Sequence, residues 1–424
     1  MSAATPVNSR RAPLAGVRVV DMTIWMAGSI AGMLLADLGA DVVKIESASG
    51  DPTRGHVAPT AGRAAEGADA GTSLSYSACN RNKRSMALDL KDPDDREVLS
   101  GLLAKADVFV TNLSGPTLRK FGVDEAALRD RYPNLVYARA AGLGVRGPRS
   151  DDLAQDMTGM AYAGMLFTMS PDPEEPFAPP GAMNDVLTGT MVAFGILAAL
   201  AQRSQTGAGT SVSGSLLQTS LWSQMLLVGS AANTAGASTS GRPRRDPRNA
   251  ALNQYRAGDG KWIAIAAINA RAWPVFLAAT ELEHLEKDPR FGSYGLAVEN
   301  ASALRPILDQ HFGTRPASQW LDRLRASGVW CGPVNTIEDV LTDDHVRSEG
   351  YLATLTDGAT TVSMPFTLHD YAIPLIAGPA LDADRGSILD DWKIGVAPSA
   401  DWGDLESGDG ANIRRHRPGT EQLP

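Results

Sequence analysis

The stretch Pro179-Pro-Gly-Ala-Met-Asn-Asp185-Val-Leu-Thr-Gly-Thr190 opens the most apolar part of the chain, which continues to Leu200. The Pro-Gly pair predicts a turn, and the apolar residues behind it predict a buried helix; they are Val186, Leu187, Met191, Val192, Phe194, Ile196, Leu197 and Leu200. Asp185 therefore lies where this helix meets a loop. The free N–H groups and positive dipole at a helix start would keep its carboxylate ionised and oriented, as a nucleophile requires. The plainer interpretation is an ordinary N-cap.

The first fifty residues predict a β-α-β unit. Residues 17–22 and 41–46 are β-branched and apolar, and residues 29–38 have helical spacing. Strands and helices continue to alternate as far as a short strand at 210–213, which predicts an α/β fold with a Rossmann-like, doubly wound large domain. The loop after the first strand lacks G-x-G-x-x-G, so a dinucleotide cofactor is disfavoured. Trp25 and Met26 occupy this loop, where such sheets bind ligands, although both could equally be core residues.

The length of 424 residues predicts more than one domain. We expect a disordered lead-in at 1–13, a large α/β domain at 14–230 and a linker rich in small residues and arginine at 231–249. A small α+β domain at 250–335 and a C-terminal segment at 336–424, returning to the large domain, complete the prediction. Within these limits, residues 152–169 predict one helix, residues 216–230 another, and Gly332-Pro-Val-Asn335 predicts the start of a third.

Composition excludes several classes of function. A net charge of −9 disfavours nucleic-acid binding. Cys79 and Cys331 have neither disulfide-framework nor metal-ligand spacing, and the six histidines show no ligand spacing, so we expect no metal site and a cytoplasmic protein. The apolar window 186–201 is shorter than the ~20 residues of a membrane span, so we expect no membrane segment.

Several motifs occur together in one order along the chain. Asn184-Asp-Val-Leu-Thr-Gly189, the apolar helix and Arg203-Ser-Gln-Thr-Gly207 resemble the core of the class III CoA-transferases, a family that includes formyl-CoA and carnitine CoA-transferases and the acyl-CoA racemases. Other stretches resemble family motifs in the same order: Gly16-Val-Arg-Val-Val-Asp-Met-Thr23, Ala27-Gly28, Leu38-Gly-Ala-Asp-Val-Val-Lys-Ile-Glu46, Gly50-Asp51 with Arg54-Gly55, Asn82-Lys-Arg-Ser85 with Leu88-Asp89, and Gly332-Pro-Val-Asn335. The resemblance covers most of the chain.

The resemblance implies that Asp185 is the nucleophile, forming an aspartyl-CoA thioester while CoA moves between an acyl-CoA and a carboxylic acid. CoA is then a substrate, and no tightly bound cofactor is expected. The family's CoA contacts fall on Trp25, Leu88, Leu90, Lys91, Asn112, Leu113 and Lys120, and the two lysines become candidate phosphate partners. Without the resemblance, core packing would explain the apolar residues of this set, and solvated surface charges would explain the two lysines.

This chain departs from the family pattern at several positions. Met26 replaces a glutamine of the oxalate-using branch, which indicates a more apolar acyl group. Ser47 replaces a CoA-contacting arginine, and Ala141 and Leu143 replace a lysine and a tyrosine. We therefore expect CoA to be held differently, through Arg54 or the cations at 81–84; the alternative for that cluster is a solvated face. Oxyanion donors are expected from Ala27-Gly28 or Gly142-Leu-Gly144.

Two alternatives remain beside transfer. The racemase branch pairs its aspartate with a histidine, and the stretch that looks equivalent here, Ser150-Asp-Asp-Leu153, has none. A non-catalytic acyl-CoA-binding protein is the other alternative, and intramolecular CoA transfer within a dicarboxylic acid would use the same Asp185. The resemblance further implies a homodimer of interlocked chains, with the linker at 231–249 part of each ring.

Overall fold

The computed structural model describes residues 12–55, 73–236 and 241–395. Six parallel strands form the main sheet in the order β3-β2-β1-β4-β5-β6. They are β1 (Arg18–Met22), β2 (Asp41–Glu46), β3 (Arg84–Ala87), β4 (Val108–Thr111), β5 (Val136–Ala141) and β6 (Ser211–Ser215). This order confirms the Rossmann-like large domain, because the chain runs outward from β1 in one direction and then from β4 in the other.

Helices cover both faces of this sheet. They are α1 (Ala27–Asp37), α2 (Leu74–Asn80), α3 (Pro93–Leu103), α4 (Gly115–Lys120), α5 (Glu125–Arg131), α6 (Asp156–Tyr162), α7 (Met165–Thr168), α8 (Met183–Thr206), α9 (Leu216–Ser223) and α10 (Met225–Asn233). Successive strand residues point to opposite faces. Val19 accordingly packs in the core under α1 and α8, and Val20 packs in the core under α3.

Residues 250–333 build a separate hydrophobic core. An antiparallel sheet of β7 (Leu252–Arg256), β8 (Trp262–Ala266) and β9 (Trp330–Pro333) lies against four helices, α11 (Ala272–Ala279), α12 (Tyr294–Glu299), α13 (Ala301–Phe312) and α14 (Ala317–Ala326). Phe276, Phe312 and Trp320 are completely buried at its centre.

The remaining chain packs back on the six-stranded sheet. It forms α15 (Ile337–Thr342), α16 (Asp344–Ser348), β10 (Leu352–Thr354), β11 (Thr360–Val362) and α17 (Arg385–Asp391). Trp392 is buried in the core under α3 and donates to Asp41 Oδ2 at 2.7 Å. The backbone N–H of Ser85 donates to Asp384 Oδ2 at 2.9 Å, which ties this segment to β3.

Several local predictions need correction. The predicted helix at 152–169 is two helices, because Gly164 between α6 and α7 adopts a left-handed φ of 74°. The helix predicted at 216–230 is divided at Gln224 into α9 and α10. Gly332 and Pro333 lie in β9, and the following helix begins only at Ile337. Most of the predicted lead-in and residues 56–72 and 396–424 lie outside the described residues.

Helix α8 is longer and less buried than its sequence predicts. Its 24 residues are long and apolar enough to cross a membrane by length and composition alone, but a core helix passes the same test. The helix packs on β5, β6 and α1. Val186 and Phe194 are 49% and 65% exposed, so the prediction that both are buried was wrong.

Close packing of α8 against α1 places Asp185 beside the start of α1. A Cβ at Gly189 would lie 2.5 Å from the carbonyl oxygen of Ala27, so only glycine allows this approach. The first turn of α1, which has no side-chain N-cap, therefore lies next to the first turn of α8.

Candidate active site

The strand order reverses between β1 and β4, and the loops after these two strands are joined there. Asn112 Oδ1 accepts from the Ile24 backbone N–H at 2.9 Å, and Asn112 Nδ2 donates to the Ile24 carbonyl at 2.6 Å. Ligands of open α/β sheets bind at this point. Two cavities adjoin here and share Ile24, Leu113 and Thr117 in their walls.

The first of these, the strand-end cavity, has a volume of about 550 Å³ and lies beyond the ends of β1, β2 and β3. It is lined by Met22, Thr23, Ile24, Ile45, Glu46, Ser47, Ala48, Ser49, Gly50, Asp51, Leu88, Asp89, Leu90, Lys91, Leu113, Thr117 and Phe121. Four predicted CoA contacts are among these residues: Leu88, Leu90, Lys91 and Leu113. Lys91 is exposed at its edge.

The second, the Asp185 cavity, has a volume of about 770 Å³. It is lined by Ile24, Trp25, Met26, Ala27, Asn112, Leu113, Ser114, Thr117, Ala140, Ala141, Gly142, Leu153, Ala154, Gln155, Asp156, Met157, Pro179, Gly181, Ala182, Asp185 and Leu216. The predicted residues Trp25, Met26, Asn112 and Leu113 thus meet Asp185 at one cavity. Ala27 and Gly142, one from each candidate pair of oxyanion donors, also line it.

Asp185 is not an N-cap. It is the third residue of α8, and the residue before the helix is Ala182, with a left-handed φ of 54°. The helix start is instead capped by Asp156 from α6, whose Oδ1 accepts from the backbone N–H groups of Asn184 and Asp185 at 2.8 and 2.9 Å. The carboxylate of Asp185 is therefore left to face the cavity.

Burial, together with the neighbouring Asp156 carboxylate, raises the pKa of Asp185 to about 7. The prediction that Asp185 simply stays ionised was wrong for neutral pH. The physical reason is the burial of the Asp185 side chain, together with the like charge of Asp156, which also takes the N–H groups of the first turn of α8.

A buried ion pair supports the loop that carries Trp25. Lys44 Nζ lies 2.9 Å from Asp51 Oδ2, with both side chains fully buried, and donates to the Thr23 carbonyl at 3.0 Å. The backbone N–H of Trp25 donates to Asp51 Oδ1 at 3.3 Å. Trp25 itself has a left-handed φ of 59° and is 47% exposed. Such a conformation costs free energy and persists because the surroundings hold it.

Arg54 lines neither cavity, although its partner Glu46 lines the strand-end cavity. Its Nε and Nη2 donate to the two carboxylate oxygens of Glu46 at 2.8 and 2.6 Å, and its Nη1 donates to the Pro379 carbonyl at 3.0 Å. Because these bonds occupy the guanidinium and it lines neither cavity, the geometry argues against the predicted CoA contact.

The cation cluster at 81–84 is neither a phosphate patch nor a solvated face. Arg81 pairs with Asp37 at 2.6 Å, Lys83 with Asp21 at 2.7 Å, and Arg84 with Asp41 at 2.6 Å. Both members of the first two pairs are buried. These cations hold the sheet and its helices together, and the prediction that they bind phosphate was wrong.

Lys120 is separated from the cavities. It is exposed in the last turn of α4 and lines neither of them, whereas the adjacent Phe121 lines the strand-end cavity. Its predicted role as a phosphate partner stays a prediction.

The stretch compared with the racemase motif, residues 150–153, lies mostly off the cavity wall. The cavity is lined from this part of the chain by Leu153, Ala154, Gln155, Asp156 and Met157, and only Leu153 belongs to 150–153. No histidine is among the residues lining either cavity. Sequence reasoning also missed Asp156; the available signal was a carboxylate at the start of a predicted helix, but nothing local linked it to Asp185, which is 29 positions away.

Comparisons with known proteins show the family of this chain. A family profile described as CoA-transferase family III matches residues 14–385. The succinyl-CoA:glutarate CoA-transferase of Mus musculus is 30% identical over 341 residues, covering 80% of this chain and 76% of the relative. The (R)-2-hydroxy-4-methylpentanoate CoA-transferase of Clostridioides difficile is 27% identical, and the match covers 80% of this chain and 84% of that relative. A solved CAIB/BAIF family protein from Brucella suis matches with a TM-score of 0.76 and 28% identity, covering 90% of this chain and 100% of that one.

Proposed function

This chain belongs to CoA-transferase family III and is an enzyme that transfers CoA, and we propose that it does so through an aspartyl-CoA thioester on Asp185. One observation carries the proposal: Asp185 is a partly buried carboxylate that faces a cavity, and this cavity adjoins a second one at the ends of the strands. An acyl-CoA can lie along both cavities, with the acyl group at Asp185 and the nucleotide toward Lys91.

The proposed reaction conserves atoms and charge at every step. The Asp185 carboxylate attacks the thioester carbonyl, the C–S bond breaks, and an acyl-aspartyl anhydride and CoA thiolate result. The thiolate attacks the aspartyl carbonyl of the anhydride and releases the donor acid as its carboxylate. The acceptor carboxylate then attacks the aspartyl thioester and regenerates an anhydride and thiolate, whose recombination at the acyl carbonyl gives the new acyl-CoA and free Asp185.

The surroundings of Asp185 suit this role. A raised pKa marks a carboxylate that is poorly solvated in its ionised form, and poor solvation makes it a better nucleophile than a carboxylate in water. The uncapped first turn of α1, beginning at Ala27, supplies N–H groups without intrahelical acceptors on the wall of the same cavity. We assign oxyanion stabilisation to these groups in preference to Gly142-Leu-Gly144.

The proposal includes a cytoplasmic homodimer with interlocked chains. Its support is the apolar surface left open on the helices from α8 to α10, where Phe194, Trp222 and Leu226 are 65%, 61% and 81% exposed. Apolar patches of this kind mark protein–protein contacts. A monomer by sedimentation would contradict this part of the proposal without touching the chemistry.

Racemisation is the weaker candidate. It requires a second acid–base group near neutral pH to exchange the α-proton. The cavity offers Gln155 at the start of α6, and Asp156, whose Oδ1 is committed to capping α8. Deuterium incorporation at the α-carbon of a 2-methylacyl-CoA, without exchange of CoA, would favour it.

The test is to trap the intermediate. Incubation with an acyl-CoA and then hydroxylamine should convert an aspartyl thioester to a hydroxamate, which peptide mass spectrometry locates at Asp185. Asp185→Ala and Asp185→Asn should give no hydroxamate and no transfer. Asp152→Ala is the matched control, because this exposed carboxylate directly precedes the segment 153–157 on the cavity wall but lines neither cavity itself. Turnover by Asp185→Ala would overturn the mechanism, and a folded protein that yields no adduct with any acyl-CoA would favour a binding protein.

A further inference from the structure

We propose that the acid exchanged at Asp185 has an apolar aliphatic or aromatic tail and no second carboxylate. This inference rests on the proposed function and names its substrate class. It follows from the composition of the cavity wall over the part of the chain that the structure describes.

The Asp185 cavity contains no positive charge among the residues described as lining it. Its two titratable residues are Asp156 and Asp185, both acidic, and none of the other nineteen is Lys, Arg or His. A dicarboxylic acid would bring its distal carboxylate into a space that already holds these two. Recognition of a carboxylate needs a cation or several N–H donors, because transfer of an unpaired charge out of water is costly. The free N–H groups at the start of α1 are assigned to the reacting carbonyl and so do not serve a distal carboxylate.

Four cations of the surrounding segments are paired with carboxylates. Lys44 is fully buried against Asp51, and Lys83 against Asp21. Arg119 pairs with Asp151 at 2.9 Å on the surface, and Arg149 pairs with Asp152 at 2.9 Å. None of these side chains lines the cavity.

The rim of the cavity is apolar and exposed. Trp25 is 47% exposed, Met157 44% and Leu153 89%, and all three lie on the wall. If a second protein chain covered this rim and placed a charged side chain there, that charge would lose its hydration against apolar surface, which is costly. An apolar tail instead removes exposed apolar surface from water and is stabilised by about 25 cal/mol per Å² of apolar area that it covers.

Two thioethers give the cavity an adaptable shape. Met26 and Met157 both line it, and methionine side chains fill irregular apolar space with little loss of packing. We therefore expect branched, straight and aromatic tails to be accepted to similar extents.

The experiment compares donors of matched length by the rate of hydroxamate formation at Asp185, which requires no knowledge of the natural acceptor. Pentanoyl-CoA and glutaryl-CoA have the same chain length and differ in whether a methyl group or a carboxylate ends it. We expect pentanoyl-CoA to react at least about tenfold faster in kcat/KM, which corresponds to about 1.4 kcal/mol. Equal or faster reaction of glutaryl-CoA in the unmodified enzyme would overturn the inference.

A variant reverses the charge argument. Met157→Arg places a cation on the cavity wall and should lower the pentanoyl/glutaryl ratio by about tenfold or more, since a guanidinium can donate charge-assisted hydrogen bonds to the distal carboxylate. Met157→Leu is the control and should leave the ratio unchanged. A ratio unmoved by Met157→Arg, in a variant that unfolds at the wild-type temperature, would count against the inference.

Failure of the proposed function gives a different result. In that case neither donor yields a hydroxamate at Asp185. If instead only the inferred substrate class is wrong, glutaryl-CoA yields the hydroxamate at least as fast as pentanoyl-CoA.

Discussion

The side-chain amide of Asn112 binds both backbone polar groups of Ile24. Its Oδ1 accepts from the Ile24 N–H at 2.9 Å, and its Nδ2 donates to the Ile24 carbonyl at 2.6 Å. Asn112 follows β4 and Ile24 follows β1, so this pair of bonds joins the two loops at the point where the strand order reverses. Ile24 is also part of the wall shared by the two cavities. The two hydrogen bonds of Asn112 therefore fix a residue that lies in the walls of both cavities.

Replacement of Asn112 by alanine should impair both binding and chemistry. We expect Asn112→Ala to raise KM for acyl-CoA, lower kcat, and reduce the free energy of unfolding by about 1–3 kcal/mol, because two backbone groups lose their partners. Steady-state kinetics and urea unfolding measure these effects. Asn233→Ala, on the exposed end of α10, is the control. Wild-type kinetics in Asn112→Ala would show that the loops hold their positions without this side chain.

The activity should depend on the ionisation of Asp185. Since the attacking form is the carboxylate and the pKa is raised to about 7, kcat/KM should rise with pH and be about tenfold lower at pH 6 than its plateau. Asp156→Asn removes the like charge but keeps an oxygen that can cap α8, so the rising limb should move to lower pH. Asp152→Asn should leave the limb in place. A pH profile identical in Asp156→Asn would contradict the assigned cause.

The two candidate phosphate partners should differ in effect. Lys91 lines the strand-end cavity and Lys120 does not. We expect Lys91→Ala to raise KM for acyl-CoA by about tenfold, since a hydrogen bond to a charged group contributes about 1.5–3 kcal/mol. Lys120→Ala should have a smaller effect. Measurements at low and high salt separate phosphate contacts from packing, and a larger effect of Lys120→Ala would mean that the nucleotide lies nearer α4.

The buried cations should matter for stability and not for CoA binding. Lys83→Met leaves Asp21 buried without its partner, which should cost about 3–5 kcal/mol of the free energy of unfolding. Arg149→Met breaks an exposed pair with Asp152 and should cost about 0–1 kcal/mol. Chemical denaturation measures both. Equal stability of the two variants would show that the buried pair between Lys83 and Asp21 of β1 does not stabilise the sheet.

The sequence by itself determined the elements and their class. Short β-branched runs, each followed by a helical pattern, are local properties, and these patterns correctly predicted β1, β2 and β4 and the parallel sheet. Motif order also made Asp185 the candidate nucleophile, because the family pattern around it is continuous along the chain. Patterns of this local kind do not show two features that caused errors. At Gly164 a left-handed backbone conformation ends one helix, and at Gly332 pairing with a distant strand replaces the predicted helix start.

Only the tertiary structure decided the electrostatics of the site. The sequence shows Arg54, Arg81 and Lys83 as free charges, and folding brings each beside a carboxylate from another element. It likewise brings Asp156 from α6 to the first turn of α8, where it caps the helix and raises the pKa of Asp185. Charges interact strongly when they are a few ångströms apart. Residues that are distant in the sequence, such as Asp156 and Asp185, come that close only when the sheet has formed.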